Sequence, residues 1–257
     1  MSKKLRADRL LVERGLAPTR TRAQELVRRG HVTANGMRVA RPAELLDEDS
    51  TLHLSAPLAY VSRGGEKLAG ALEAFALDLS GAVVADIGAS TGGFTDVALK
   101  RGARKVYAID VGHDQLHPSL RDDPRVVVRE GTNARALEAR DFDEAVDVVL
   151  VDAAFIGLAK LLDAIARILR PDGTLVALIK PQFEVGAESA RRSRGVVRDR
   201  RERERAIEGV RAALHEKGFT LIAESDSVLA GPRGNVERFV HARRAGGGEP
   251  STRRSAP

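Results

Sequence analysis

From about residue 82 the hydrophobic pattern becomes regular. Short apolar runs alternate with segments whose apolar residues return every three or four positions. The runs are AVVA (82–85), KVYAID ending in Asp110, RVVV, VDVVLVD ending in Asp152, and TLVALIK ending in Lys180. Each reads as a strand buried on both faces, as in a parallel sheet. The intervening TDVALKRG and FIGLAKLLDAIARILR carry helical spacing, and the second is expected to end before Pro171-Asp172-Gly173. Residues 200–217 read as a charged amphipathic helix. FTLIAESDSV and NVERFVHARR are expected to form a last antiparallel pair with GPRGN between them. Strands alternating with helices predict a doubly wound, Rossmann-like α/β domain. Its strands end in Asp86, Asp110, Asp152 and Lys180, all expected at the sheet edge where such folds bind ligands.

The first 55 residues follow another pattern. Leu5, Leu10, Leu11 and Val12 fit a short amphipathic helix closed by Gly15. Thr19 or Thr21 can cap a second helix, with Leu26 and Val27 inward and Gly30 at its end. Asn35-Gly36 between alternating apolar positions predicts a hairpin, and residues 51–55 can close a small sheet. The expected organisation is therefore a small α+β domain (1–55), a linker (56–63), the α/β domain (64–243) and a disordered Gly/Ser/Arg-rich tail (244–257). In the α/β domain Leu68, Leu72 and Phe75 mark a first helix, with Lys67 near its start. The polar, Arg-rich 185–200 reads as a mobile loop beside the site, either an RNA clamp or a plain surface loop.

Charge sharpens the picture. The 257 residues carry a net charge of +6, and 43% are apolar, enough for a sizeable core. Residues 1–41 hold eleven Lys or Arg against three acids. Arg6, Arg20, Arg22, Arg28 and Arg29, at helix starts and ends, can present guanidinium groups to phosphates; a solvated charged face is the plainer alternative. The absence of Cys excludes disulfides, thiolate metal sites and a cysteine nucleophile. No metal site is expected. No apolar run is long enough to span a membrane, and the N-terminus lacks an apolar signal core, so a cytoplasmic protein without membrane partners is expected.

The candidate chemistry centres on AVVADIGASTGGFTD, residues 82–96. It reads as strand, tight turn of small residues, then helix. No Lys-Ser or Lys-Thr follows the glycines, so the turn is not a phosphate loop, and the G-x-G-x-x-G spacing is absent. Asp-x-Gly-x-x-x-Gly at a strand end is typical of S-adenosylmethionine (SAM) sites. The expected contacts are Asp86, Gly88, Ala89, Ser90, Thr91, Gly92, Gly93 and Phe94. Asp110, with Val111 beside it, suits ribose hydroxyls, and Asn133 in GTNAR is a candidate for an adenine edge. A helix-start turn with no ligand is the bland alternative.

Residues 5–54 resemble the small RNA-binding domain of the ribosomal-protein-S-four type, through RADRLLVERGL, TRTRAQELVRRGHVTANG and Arg41-Pro42. From residue 5 to about 243 the chain resembles the TlyA family, hemolysin-like rRNA cytidine 2′-O-methyltransferases. The matching motifs are YVSRGGEKL, DIGASTGGFTD, IDVGHDQL, KPQFE, GVVRD and GPRGNVERF. The resemblance implies an FtsJ-like methyltransferase domain using SAM and an rRNA or ribosomal-subunit substrate; a monomer is expected. It also implies a Lys-Asp-Lys-Glu set, mapped onto Lys67, Asp152, Lys180 and Glu237. In that reading Lys180 acts on the 2′-hydroxyl, as a base or as a cation, while Asp152 and Glu237 orient the lysines. The chain departs from the family at Ala154 and Gly157, where Ser is usual, in the RRSR stretch before GVVRD, and at Val228 and Ala230, where proline is frequent. Two other functions remain open at this point: an RNA-binding ribosome factor without catalysis, and a membrane-active hemolysin.

Overall fold

The structure, a computed structural model, describes residues 3–55, 59–185, 196–231 and 234–246. The tail beyond 246, linker residues 56–58, Pro232-Arg233 and positions 186–195 of the Arg-rich loop lie outside the described residues. The chain divides into two compact units, Met1–Ser62 and Arg63–Pro257.

In the first unit, strand β1 (Lys4–Arg6) runs straight into helix α1 (Ala7–Glu13), followed by α2 (Arg20–Arg28). Thr19 caps α2, its hydroxyl accepting from the Arg22 amide at 3.3 Å. Strands β2 (Val32–Ala34) and β3 (Met37–Arg38) form the expected hairpin. Its turn has positive φ at both Asn35 and Gly36, as a tight two-residue loop requires. Strand β4 (Leu45–Asp47) pairs with β1, and β5 (Leu52–Leu54) pairs with β2. Leu5 therefore lies on a strand, not on the helix expected from its spacing. The core joins Ala7, Leu11, Ala23, Leu26, Val27 and Val32.

The second unit starts with α3 (Arg63–Ala74). Then come β6 (Val83–Ile87), α4 (Gly93–Lys100), β7 (Lys105–Ile109), α5 (Pro118–Arg121), β8 (Val126–Arg129) and β9 (Val146–Val151). Helix α6 (Leu162–Ile168), β10 (Leu169–Ile179), α7 (Pro181–Glu184), α8 (Arg200–Glu216), β11 (Phe219–Asp226) and β12 (Arg238–Arg244) complete it. The seven strands form one sheet in the order β11-β12-β10-β9-β6-β7-β8. Five are parallel, and β12 and β11 extend the β10 side antiparallel. The helix expected to reach residue 170 is shorter. A 3-10 turn covers Leu158–Lys160, α6 stops at Ile168, and buried Leu169 already pairs with Val146. Pro171 disfavours helical geometry at Arg170, and a register shift before Thr174 absorbs the turn.

Candidate functional site: a strand-edge cavity and two lysine–carboxylate pairs

The parallel strands deliver their C-terminal ends to one edge, as their pattern predicts. A cavity of about 600 Å³ opens there. Gly88, Ser90, Asp110, Val111 and Asn133 line it, together with Asp152. The turn after β6 is shaped by close approach. Gly88 has φ +84°, and a Cβ there would stand 2.9 Å from the Ala153 Cα, so the β6 and β9 ends meet only because no side chain intervenes. At Gly92, φ +95°, a Cβ would collide with the Leu120 side chain. Asp110 accepts from the Ser90 amide and from the Gly112 amide, both at 2.8 Å. The strand-end acid thus ties the turn after β6 to the loop after β7.

Other expected cofactor residues lie outside the cavity wall. Phe94 is buried, its ring centroid 6.0 Å from that of Phe239. Asp86 lies inside β6, which runs on to Ile87, and is fully buried. Its Oδ2 accepts from the Thr95 hydroxyl at 2.6 Å, while Oδ1 has no partner among the described residues. Burial, with the like charges of Asp152 and Asp110 nearby, pushes this carboxyl up to about 7 against the hydroxyl bond that lowers it. Ala89, Thr91, Gly92 and Gly93 shape the turn without lining the cavity.

The four residues mapped by resemblance form two ion pairs. Lys180 Nζ lies 2.7 Å from Asp152 Oδ1 and donates to the Asp152 carbonyl at 3.1 Å. Lys67 Nζ donates to Glu237 Oε2 at 2.5 Å. The sheet brings the pairs into one row. Ile179 faces Arg238 in the β10–β12 register, so the next step puts the Lys180 backbone opposite Glu237. The pairs differ in access: Lys67 and Glu237 are 7% and 1% exposed, whereas the side chains of Lys180 and Asp152 reach 13% and 22%. Gly231 covers Glu237, since a Cβ there would meet Oε1.

Sequence reasoning missed Gln115, Thr132, Arg135, Ala153 and Phe155 in the cavity wall. Gln115 had a local signal, the GHDQL motif; Phe155 had none. The residue is 92% exposed, with φ +66° and its ring centroid 5.6 Å from that of Phe183. The departure at Gly157 has a structural counterpart. A Cβ there would stand 2.7 Å from Glu184 Oε2, and that carboxylate accepts from the Leu158 amide at 2.7 Å. Ala154 simply lines the cavity. At the other departures, Val228 packs on Gly70 and the Ala230 carbonyl accepts from Arg63 at 3.0 Å.

In the first unit, four arginines expected at phosphates keep surface charge. Arg22 does not: it is buried and paired with Glu25 at 2.7 Å. Arg6 and Arg20 both bind buried Asp8, at 2.9 and 3.0 Å, but remain 41% and 58% exposed. Arg28 is exposed, and Arg29 pairs with Glu25.

Among the described residues, no cluster of His, Asp or Glu could hold a metal ion, and no helix is long and apolar enough to cross a membrane. The FtsJ-like methyltransferase family matches residues 60–244, and the S4 domain matches residues 5–52. The 16S/23S rRNA (cytidine-2′-O)-methyltransferase TlyA of Mycobacterium tuberculosis is 44% identical, over 95% of this chain and 91% of its own length. YqxC of Bacillus subtilis, named as an rRNA methyltransferase, is 41% identical over 96% and 89%. A solved structure from Streptococcus thermophilus, described as a hemolysin, superposes with a TM-score of 0.75 at 41% identity, covering 95% and 90%. S-adenosylmethionine is the methyl donor of this class. The cavity fits that donor: its wall combines apolar Ile87, Ile109 and Ile156 with the Asp110 carboxylate, which can accept from ribose hydroxyls. With its S4 domain and FtsJ-like methyltransferase domain in this order, the chain belongs to the TlyA family.

Proposed function

We propose that this protein methylates the ribose 2′-oxygen of a cytidine in ribosomal RNA. The observation that carries the reading is the Lys180–Asp152 pair, partly exposed at the rim of the donor cavity. The relatives' named activity supports the substrate. SAM supplies a methyl group already activated by its sulfonium. The residues of the chain therefore have to align the acceptor oxygen and manage its charge and proton. Lys180 Nζ has three N–H groups; one donates to the Asp152 carbonyl, and the ammonium charge is balanced by Asp152 Oδ1 at ion-pair distance. An N–H not taken by the carbonyl can donate to the 2′-oxygen and stabilise negative charge as it develops there. Asp152 fixes the direction of that donor. As the oxygen gains a bond to carbon its proton becomes strongly acidic, and water at the open rim can accept it. The buried Lys67–Glu237 pair acts as support beside this centre. The exposed arginines of the S4 domain supply charge for rRNA phosphates.

Labelled SAM incubated with purified ribosomal subunits tests the reading. Nucleoside mass spectrometry should find 2′-O-methylcytidine. SAM binding without transfer to any subunit would favour the non-catalytic ribosome factor, and label on a base would refute the reaction type.

A further inference from the structure

We propose that Glu130 is a positioning residue for the methyl donor, acting through the loop that follows β7. This rests on the reading that the cavity holds SAM. The loop from Val111 to Leu116 forms one wall of the cavity through Val111, Gly112 and Gln115. It has little regular structure of its own, and Asp114 sits at φ +53°. One carboxylate organises it. Glu130, just past β8, accepts the Asp114 amide on Oε2 at 2.9 Å, and the Gln115 and Leu116 amides on Oε1 at 2.9 and 3.1 Å. Arg121 donates to Oε2 at 2.8 Å. Four donors on one carboxylate, led by Arg121, draw it down to about 2, so it stays ionised at any working pH.

The consequence reaches the cavity by a short chain of contacts. With its amide held, Gln115 brings its side chain over Gly112, where a Cβ would collide with the carboxamide. Gln115 Oε1 and Ser90 Oγ lie 3.1 Å apart, and the Ser90 amide binds Asp110. Backbone bonds from Gly131 to Gly112 and from Thr132 to Asp110, both 2.9 Å, tie the segment after Glu130 to the same wall. Glu130 does not line the cavity. It fixes the places of Gln115, Ser90 and Asp110, which do. A carboxylate used this way lowers the ordering cost of the loop before the donor arrives, which is how preorganisation raises affinity.

Calorimetry of SAM binding to full-length wild type and to Glu130→Gln tests this. The variant should bind SAM about tenfold or more weakly, the scale of losing charge-assisted hydrogen bonds. In steady state the loss should appear in KM for SAM, with kcat at saturating SAM and the affinity for rRNA changing far less. A purely stabilising residue would instead lower the melting temperature and leave KM alone. Hydrogen exchange on the wild type needs no variant. The amides of Asp114, Gln115 and Leu116 should be protected before SAM is added, and more so afterwards. Wild-type SAM affinity in Glu130→Gln, or unprotected amides in the wild type, would overturn the proposal. A wild type that binds no SAM would instead refute the reading of the cavity.

Discussion

Glu237 is 1% exposed and pairs with Lys67, itself buried. Removing one member of such a pair leaves an uncompensated charge in the interior. Glu237→Ala should therefore cost about 3–5 kcal/mol in urea unfolding, and the double variant Lys67→Met/Glu237→Leu should recover much of that loss. A single variant within about 0.5 kcal/mol of wild type would show that the pair carries no structural weight. Lys180 is more accessible and should behave differently. Lys180→Ala should cut single-turnover methyl transfer by roughly a hundredfold or more while sparing SAM and rRNA affinity. Lys180→Arg should rescue poorly, because the longer, planar guanidinium that pairs with Asp152 cannot also set an N–H where the ammonium would meet the 2′-oxygen. A wild-type rate in Lys180→Ala would leave positioning alone as the source of catalysis. Asp86 gives a pH signature. Its folded carboxyl is pushed up to about 7, so the unfolded chain gives up this proton first as pH rises. The stability associated with Asp86 is thus full below about pH 4 and falls as pH rises towards 7, by at most about 1.4 kcal/mol per pH unit. Asp86→Asn should remove that slope, and urea titrations from pH 4 to 8 would show an unchanged slope if Asp86 were ionised throughout.

At the scale of elements, the turn after β6 combines backbone strain with close packing, and these can be separated. Gly88→Ala meets both a positive φ and the backbone of Ala153 at 2.9 Å. Gly81→Ala meets only the positive φ, with nothing within 4 Å. The Gly81 variant should lose roughly 1–3 kcal/mol, the cost of strain alone. The Gly88 variant should lose more and should also weaken SAM binding, because relief requires the Asp152–Ala153 segment to move. Equal losses, with SAM affinity intact in both, would mean that the close approach of β6 and β9 is not needed. The short α6 belongs to the same scale. Helical periodicity alone could not show that Leu169 leaves the helix, because a residue buried against a sheet is apolar in either state.

For the whole molecule, the arginine pattern of the S4 domain needs a finer reading than charge counting. Arg6 and Arg20 hold Asp8, so reversing them would also unsettle a buried carboxylate. Arg28 and Arg41 are exposed and better suited to a test. If both contact phosphates, Arg28→Glu/Arg41→Glu should weaken rRNA binding and flatten its salt dependence by about 0.7–0.9 per lost contact in a log–log plot. A slope unchanged by the double variant would move the phosphate contacts elsewhere on the chain.

Local chemistry makes much of this protein legible in its sequence. The strand–helix alternation, the hairpin at Asn35-Gly36, the Thr19 cap and the strand-end residues Asp110, Asp152 and Lys180 follow from periodicity and turn propensity, which act over a few neighbouring residues. The resemblance added the grouping of Lys67 and Glu237 with Asp152 and Lys180, which no spacing could reveal across the 170 positions separating Lys67 from Glu237. Tertiary structure alone decided how charge was distributed. It sealed Asp86 inside β6, buried Arg22 against Glu25, shielded Lys67–Glu237 more than Lys180–Asp152, and gave Glu130 a loop to hold. The physical reason is that burial and pairing of a charge depend on distant elements packing around it, and a charged residue looks the same in the sequence whether solvent or another chain segment faces it.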